Sequence, residues 1–264
     1  MFPGTNHDIL QKMKSCAYCD RQAPMTREHI WPDNIIESYG TELHTYNGNR
    51  QKFHKGDPVI KDVCSDCNSE KLSILDAWIG GVFNAQLKSI IQPGESVTFK
   101  YNYDLLLRSL LKISFNAARA NGNSKVIEEH QYLREYILEG RSRPRVEVRL
   151  QIVTAARVIK SDSNELDQFT PTMLRSGLVP FGGKHSDKFL VRLIAFNSYY
   201  FYLVIPIFKS SNSIWREFLD AFSNSKTPTG VPIERSKVQL FIPVQRTTYF
   251  HPKLITSLSP DDEA

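Results

Sequence analysis

The chain has 264 residues, 41% of them hydrophobic and 23% charged, near globular averages, which excludes a disordered, collagen-like or coiled-coil protein and leaves length enough for a sizeable core. Its longest apolar run, 199–208, contains Pro206 and is about half of a bilayer span. The formal net charge of +5 is unevenly spread, since residues 100–160 hold 12 basic against 6 acidic side chains, a surplus that suits phosphate contact or else a solvated, salt-bridged face.

The stretch 1–14 has no apolar segment behind a basic one, so it does not read as a secretory leader, and a cytoplasmic, reducing location is expected. All four cysteines then fall into two pairs of equal spacing, Cys16-Ala-Tyr-Cys19 and Cys64-Ser-Asp-Cys67. Disulfides are disfavoured in a reducing compartment, whereas two CxxC turns supply four thiolates about 2.3 Å from one tetrahedral ion. The expectation is a structural Zn²⁺ on Cys16, Cys19, Cys64 and Cys67. A redox dithiol or buried structural cysteines are the alternatives, and neither accounts for two matched pairs. An ion also accounts for how about 75 residues with few large apolar side chains hold together.

The insert between the pairs opens with Thr26-Arg27-Glu28-His29-Ile30-Trp31-Pro32, in which Ile30 and Trp31 read as core. It continues through a polar stretch with His44, Asn47, Asn49 and His54, and the second pair is followed at once by Asn68-Ser69-Glu70-Lys71-Leu72. From 69 to 91 the apolar residues recur at helical spacing, with a kink or break expected at Gly80-Gly81. Pro93-Gly94 marks a turn, 97–101 a strand, and 103–120 an amphipathic helix whose Arg108, Lys112 and Arg119 fall away from the leucines. Another helix is expected over 125–139, a strand over 146–153 and a loop-rich region to 188. Two apolar strands, 189–196 and 199–208, are joined at Asn197-Ser198 as a tight hairpin. A short helix over 213–222, a strand over 238–242 and a frayed acidic tail from 260 complete the chain.

The order CxxC, acidic-His-Ile-x-Pro, CxxCN and then a helix resembles the HNH endonucleases, or ββα-metal nucleases, in their zinc-stapled form. The resemblance covers about residues 10–75. It implies an N-terminal zinc-bound ββα-metal module over 1–75, and the elements read beyond it make the expected fold α+β, with a mixed α+β domain over 76–264 for nucleic-acid recognition or partner docking. It also implies that Glu28 and His29 lie on a β-hairpin and Asn68 on the following helix, as the catalytic set of a DNA phosphodiester hydrolase. In physical terms His29 is then the general base, because imidazole titrates near neutrality. Glu28 and Asn68 offer hard oxygen ligands to a catalytic Mg²⁺ or Mn²⁺. Asn68 taken alone also reads as a helix N-cap.

Two departures accompany the resemblance. Glu28 stands where the family commonly has an Asp, and Val59 stands where its middle Asn often lies, so Asn47 or Asn49 is the weaker candidate for orienting His29. Neighbouring strand residues point to opposite faces, so Glu28 and His29 share a site only if the pleat breaks between them. Lys71, Arg108, Arg119, Arg141, Arg143 and Arg145 are the candidate substrate-binding residues, with DNA as the expected partner and no membrane. A single site cuts one strand, so a monomer nicks. The layout also resembles, in organisation alone, small HNH effectors of bacterial anti-phage or restriction systems, which implies further protein partners. The competing readings are a non-catalytic zinc-stapled nucleic-acid-binding module and an RNA-directed nuclease.

Overall fold

Strand and helix boundaries follow the local chemistry closely along most of the chain. The computed structural model describes residues 14–40, 44–47, 52–55, 59–159, 166–207, 210–243 and 246–251, with the backbone alone for 44–47 and 52–55. The first cysteine pair sits in the turn of a short ribbon, β1 (Lys14–Ser15) with β2 (Gln22–Ala23). Its tight return uses Asp20 at φ +59°, a conformation that Asp tolerates better than most residues. Strand β3 (Met25–His29) follows. It is stopped by the residues that lead to Pro32, after which the one-turn helix α1 (Asp33–Glu37) begins. Strands β4 (His44–Asn47) and β5 (Lys52–Lys55) pair antiparallel. Asn49 and any orienting role for it lie outside the described residues.

Strand β6 (Val59–Cys64) returns antiparallel to β3 and runs directly into a helix. That helix is π-form over Asp66–Leu72, α over Ser73–Val82 (α2) and π-form again over Phe83–Leu87. It does not break at the glycines: a side chain at Gly80 would meet the Asn34 carboxamide of α1, so the bare backbone lets α1 lie close. The Thr-Arg-Glu-His strand thus pairs with the strand that runs into this helix, with α1, β4 and β5 lying between the two strands in sequence.

Strand β7 (Val97–Lys100) precedes α3 (Tyr103–Asn121), which is capped by the Asn102 side chain on Leu105 N and ended by Gly122 at φ +67°. The predicted 125–139 helix is two helices, α4 (Ser124–Gln131) and α5 (Arg134–Glu139). Strand β8 (Glu147–Ile152) is followed by β9 (Ala156–Ile159), β10 (Leu166–Phe169) and β11 (Leu174–Leu178), so the region expected as loop carries three strands. Then come β12 (Phe189–Phe196) and β13 (Tyr199–Pro206), joined by Asn197 at φ +51°. Helix α6 (Asn212–Ser223), β14 (Val231–Pro232) and β15 (Gln239–Ile242, paired with β7) end the described fold.

The main sheet is antiparallel in the order β11-β12-β13-β8-β14. Both faces of its hairpin are covered, which is why β12 and β13 are almost wholly apolar. Leu190, Ile194, Phe196, Phe201 and Leu203 join the large cluster on the α3 side, and Val191, Leu193, Tyr202 and Val204 pack with Phe218 and Phe222 of α6. The large cluster runs from Cys16 to Ile242 without interruption at residue 75, and Trp31 meets Phe196 edge-on at 5.2 Å. The molecule is therefore mixed α+β. No helix among the described residues is long and apolar enough to cross a membrane.

Candidate metal centre and His29 site

The four cysteines converge. Cys16 and Cys19 come from the β1–β2 turn, Cys64 from the end of β6 and Cys67 from the first turn of the helix, and their sulfurs all lie within 4.8 Å of one another. Cys19 Sγ and Cys64 Sγ are 3.8 Å apart, which matches the edge of a sulfur tetrahedron, about 3.8 Å for a zinc–sulfur bond of about 2.3 Å. Burial pushes the Cys64 and Cys67 thiols up. At Cys16 burial acts the same way, but amide donors from Cys64, Tyr18 and Cys19 outweigh it and bring the thiol down to about 7. A buried set of thiols that resists ionisation in part is satisfied by a cation, so the residues fit Zn²⁺, which when bound would supply cross-linking and no chemistry of its own. Arg21 pairs with Asp66 across the two turns, and Arg134 of α5 grips Asp20 through two nitrogens at 2.7 and 2.8 Å, holding that carboxyl below its usual range.

An ion on the four sulfurs would tie the β1–β2 turn to the end of β6 and to the start of the helix. The ladder pairs Met25 with Cys64, Thr26 with Val63, Glu28 with Ile60 and His29 with Val59, and the shift between Thr26 and Glu28 leaves the extra residue on β6. The bulge therefore precedes Glu28, and the pleat is unbroken between Glu28 and His29. The two side chains leave by opposite faces.

Glu28 goes inward. Its Oε1 is 2.7 Å from Lys112 Nζ and 3.0 Å from Asn116 Nδ2, and the residue is 2% exposed. Lys112 also pairs with Asp76 Oδ1 at 2.7 Å. Burial opposes the charge on Lys112, yet Asp76 and Glu28 outweigh it and hold its pKa above the ordinary lysine value. His29 goes outward, its side chain 26% exposed, with Nδ1 at 3.1 Å from Asp33 Oδ1 at the start of α1. Asn68 lies inside the helix and is not its N-cap, which is Ser65. Its Nδ2 donates to Thr26 Oγ1 at 2.9 Å and to the Arg27 carbonyl at 2.8 Å, pinning the helix to β3 just before the Glu28-His29 pair.

The structure thus ties Asn68 to the strand that carries His29 and buries the Glu28 carboxylate against α3. As presented, Glu28 and Asn68 do not form a site for Mg²⁺ or Mn²⁺, because an ammonium and an amide already hold the Glu28 oxygen. Among the described residues the cysteines are the one group of three or more metal-type ligands.

The cations expected at nucleic acid separate into two kinds. Arg108 donates to the Ile137 and Leu138 carbonyls at the end of α5. Arg119 is enclosed, pairing with Asp62 at 3.0 Å and lying over the Phe115 ring at 4.0 Å. With Lys112 buried as well, the face of α3 expected to meet solvent is instead the face that docks on the hairpin. Lys71 is tied to Glu139 at 2.7 Å. Arg141 (3.1 Å from Glu139) and Arg143 (3.7 Å from Asp104) keep exposed side chains, and Arg145 lies over the Trp215 ring at 4.6 Å.

Sequence reasoning did not single out Asp33, Asp76, Asn116, Arg27 or Lys61. Arg27 and Lys61 are exposed, and strand alternation puts Arg27 on the His29 side of β3. Asp33 carries a faint signal, one position past Pro32 in the Glu-His-Ile-Trp-Pro run. Asn116 carries none, because it meets the hairpin across 87 residues of chain. No family model, no curated protein and no solved structure matches this chain.

Proposed function

We propose that the chain is an HNH-type endonuclease that hydrolyses DNA phosphodiester bonds, with His29 as general base on a zinc-stapled hairpin. The single observation that carries this reading is the partly exposed imidazole of His29, at the end of a strand clamped against a helix, with its Nδ1 at 3.1 Å from the Asp33 carboxylate. The contact is an ion-pair approach that is not aligned as a hydrogen bond, and the negative charge of the carboxylate favours a proton on Nδ1, which leaves Nε2 as the proton acceptor. Nε2 takes a proton from a water whose oxygen bonds to phosphorus, the P–O bond opposite breaks, and the leaving oxygen takes its proton from solvent. Exposed Arg27 and Lys61 nearby supply positive charge for the backbone, and Arg141 and Arg143 extend it. The resemblance adds a divalent cation and an anti-phage or restriction role as expectations, and no step here is routed through that cation. One site cuts one strand, so the expected product is a nick.

A second reading, a zinc-stapled module that binds nucleic acid without cutting it, is favoured by the capture of Glu28 by Lys112 and Asn116. The two separate in one assay. Purified protein is incubated with supercoiled plasmid, and in parallel with RNA, in the presence of Mg²⁺ or Mn²⁺, beside His29→Ala of equal zinc content. Nicked plasmid from the wild type and none from the variant supports the nuclease. Binding without cleavage supports the module, and preferential cleavage of RNA replaces the substrate.

A further inference from the structure

Two side chains of α3 converge on the peptide carbonyl of His29. Asn116 Nδ2 donates to it at 3.0 Å and Lys112 Nζ at 3.4 Å, and the same two groups hold the carboxylate of Glu28 next door. Asn116 is itself held in one orientation. Its Oδ1 accepts from the Tyr18 hydroxyl at 2.6 Å and from Arg119 Nη2 at 2.8 Å, so its amide nitrogen can only face the hairpin. Lys112 is fixed by Asp76 at its other side. Both residues are almost fully buried, and the Asn116 carboxamide is held by hydrogen bonds at both its oxygen and its nitrogen, which makes it stiff.

We infer that Asn116 and Lys112 are positioning residues for the His29 base, acting through its backbone. This inference rests on the endonuclease reading. The hairpin supplies the imidazole, and a helix more than 80 residues downstream sets where it stands. Asp33 lies beside the ring as an ion-pair partner, and α3 grips the peptide through two donors. A base held this way loses rate when it moves, since a shift of about 1 Å is worth on the order of a hundredfold.

The test uses the full chain with Asn116→Ser and the milder Tyr18→Phe, which removes only the hydroxyl that orients the Asn116 amide. Steady-state nicking of plasmid is measured with zinc content, melting temperature and the histidine ring signals in the NMR spectrum. The His29 signals are identified by their loss in His29→Ala. The expected result is kcat lowered on the order of ten- to a hundredfold in Asn116→Ser and severalfold in Tyr18→Phe. KM should stay within about twofold, zinc should be retained, and the His29 ring signals should shift in both. Phe222→Leu, in the separate cluster under α6, serves as a stability control that keeps the wild-type kcat. Unchanged kcat in folded Asn116→Ser and Tyr18→Phe overturns the inference, as does an equal loss of kcat in the Phe222→Leu control. If the wild type cuts no nucleic acid, the endonuclease reading falls by itself. The ring signals then decide the positioning separately, and unmoved signals overturn it.

Discussion

Glu28 and His29 are neighbours in sequence and opposites in environment, because the strand that carries them keeps its pleat. With Lys112 enclosed between Glu28 and Asp76, Glu28 anchors the hairpin. Glu28→Ala leaves that ammonium with one carboxylate fewer in a buried site, and the expected loss of stability is about 3–5 kcal/mol, read from denaturant melts. A melting curve within error of the wild type would show that Glu28 is not an anchor. Asp33→Asn keeps the shape beside His29 and removes the charge that favours its tautomer. Nicking should fall roughly tenfold with folding unchanged, and an unaffected rate would remove Asp33 from the site. The cysteine quartet was legible in the sequence because metal ligation demands fixed local spacings. The direction of the Glu28 side chain was not, because it depends on Lys112 and Asn116, which no local pattern links to it.

At the scale of elements, the hairpin β12–β13, helix α3 and strand β8 were legible because long apolar runs or strong helical periodicity specify them. The face of α3 was not. Lys112, Asn116 and Arg119 recur at helical spacing as a solvent stripe would, but here the stripe meets matching acids, Glu28, Asp76 and Asp62. Hydrophobic pattern tells polar from apolar and cannot tell water from a polar partner. The glycine pair reads as a kink or a break, but the helix runs through it without breaking, passing from α to π-form just beyond, at Phe83. Gly81 meets no atom within 4 Å of an added Cβ, so Gly81→Ala should stabilise by about 0.5–1 kcal/mol. Gly80→Ala should gain less, because Asn34 must move aside. Thermal melts of the two variants check this order. Helix α4 carries its own signature. His130 stacks on Phe115 at 5.8 Å and donates through Nδ1 to the Val126 carbonyl, while Nε2 has no hydrogen-bond partner among the described residues. Burial, then the charges of Arg192 and Arg119, push its pKa down from 6.5 to about 3. The unfolded chain therefore takes up this proton first as pH falls. The stabilising contribution of neutral His130 is complete above about pH 6.5 and is lost from there down toward pH 3, at up to about 1.4 kcal/mol per pH unit. His130→Leu should flatten the pH dependence of melting between pH 7 and 5, and an unchanged slope would assign that dependence to other groups.

For the whole molecule, the basic surplus over 100–160 is largely spent inside. Arg108, Lys112, Arg119 and Arg149 serve carbonyls, carboxylates and rings, so net charge overstated the surface available to phosphate. The double variant Arg141→Glu and Arg143→Glu should weaken DNA binding and reduce the slope of log affinity against log salt by about two. An unaltered slope would remove this segment from the footprint. The cysteine turns and the main sheet belong to one apolar cluster, so stripping the metal should lower the melting temperature of the entire chain. The central claim is that a zinc-clamped hairpin holds His29 as a catalytic base, and cleavage of supercoiled plasmid by wild type and His29→Ala, matched for zinc content and melting temperature, tests it most directly. The account predicts nicked circles from the wild type and a rate lower by roughly a hundredfold or more in the variant. Equal cleavage by the two proteins would contradict it.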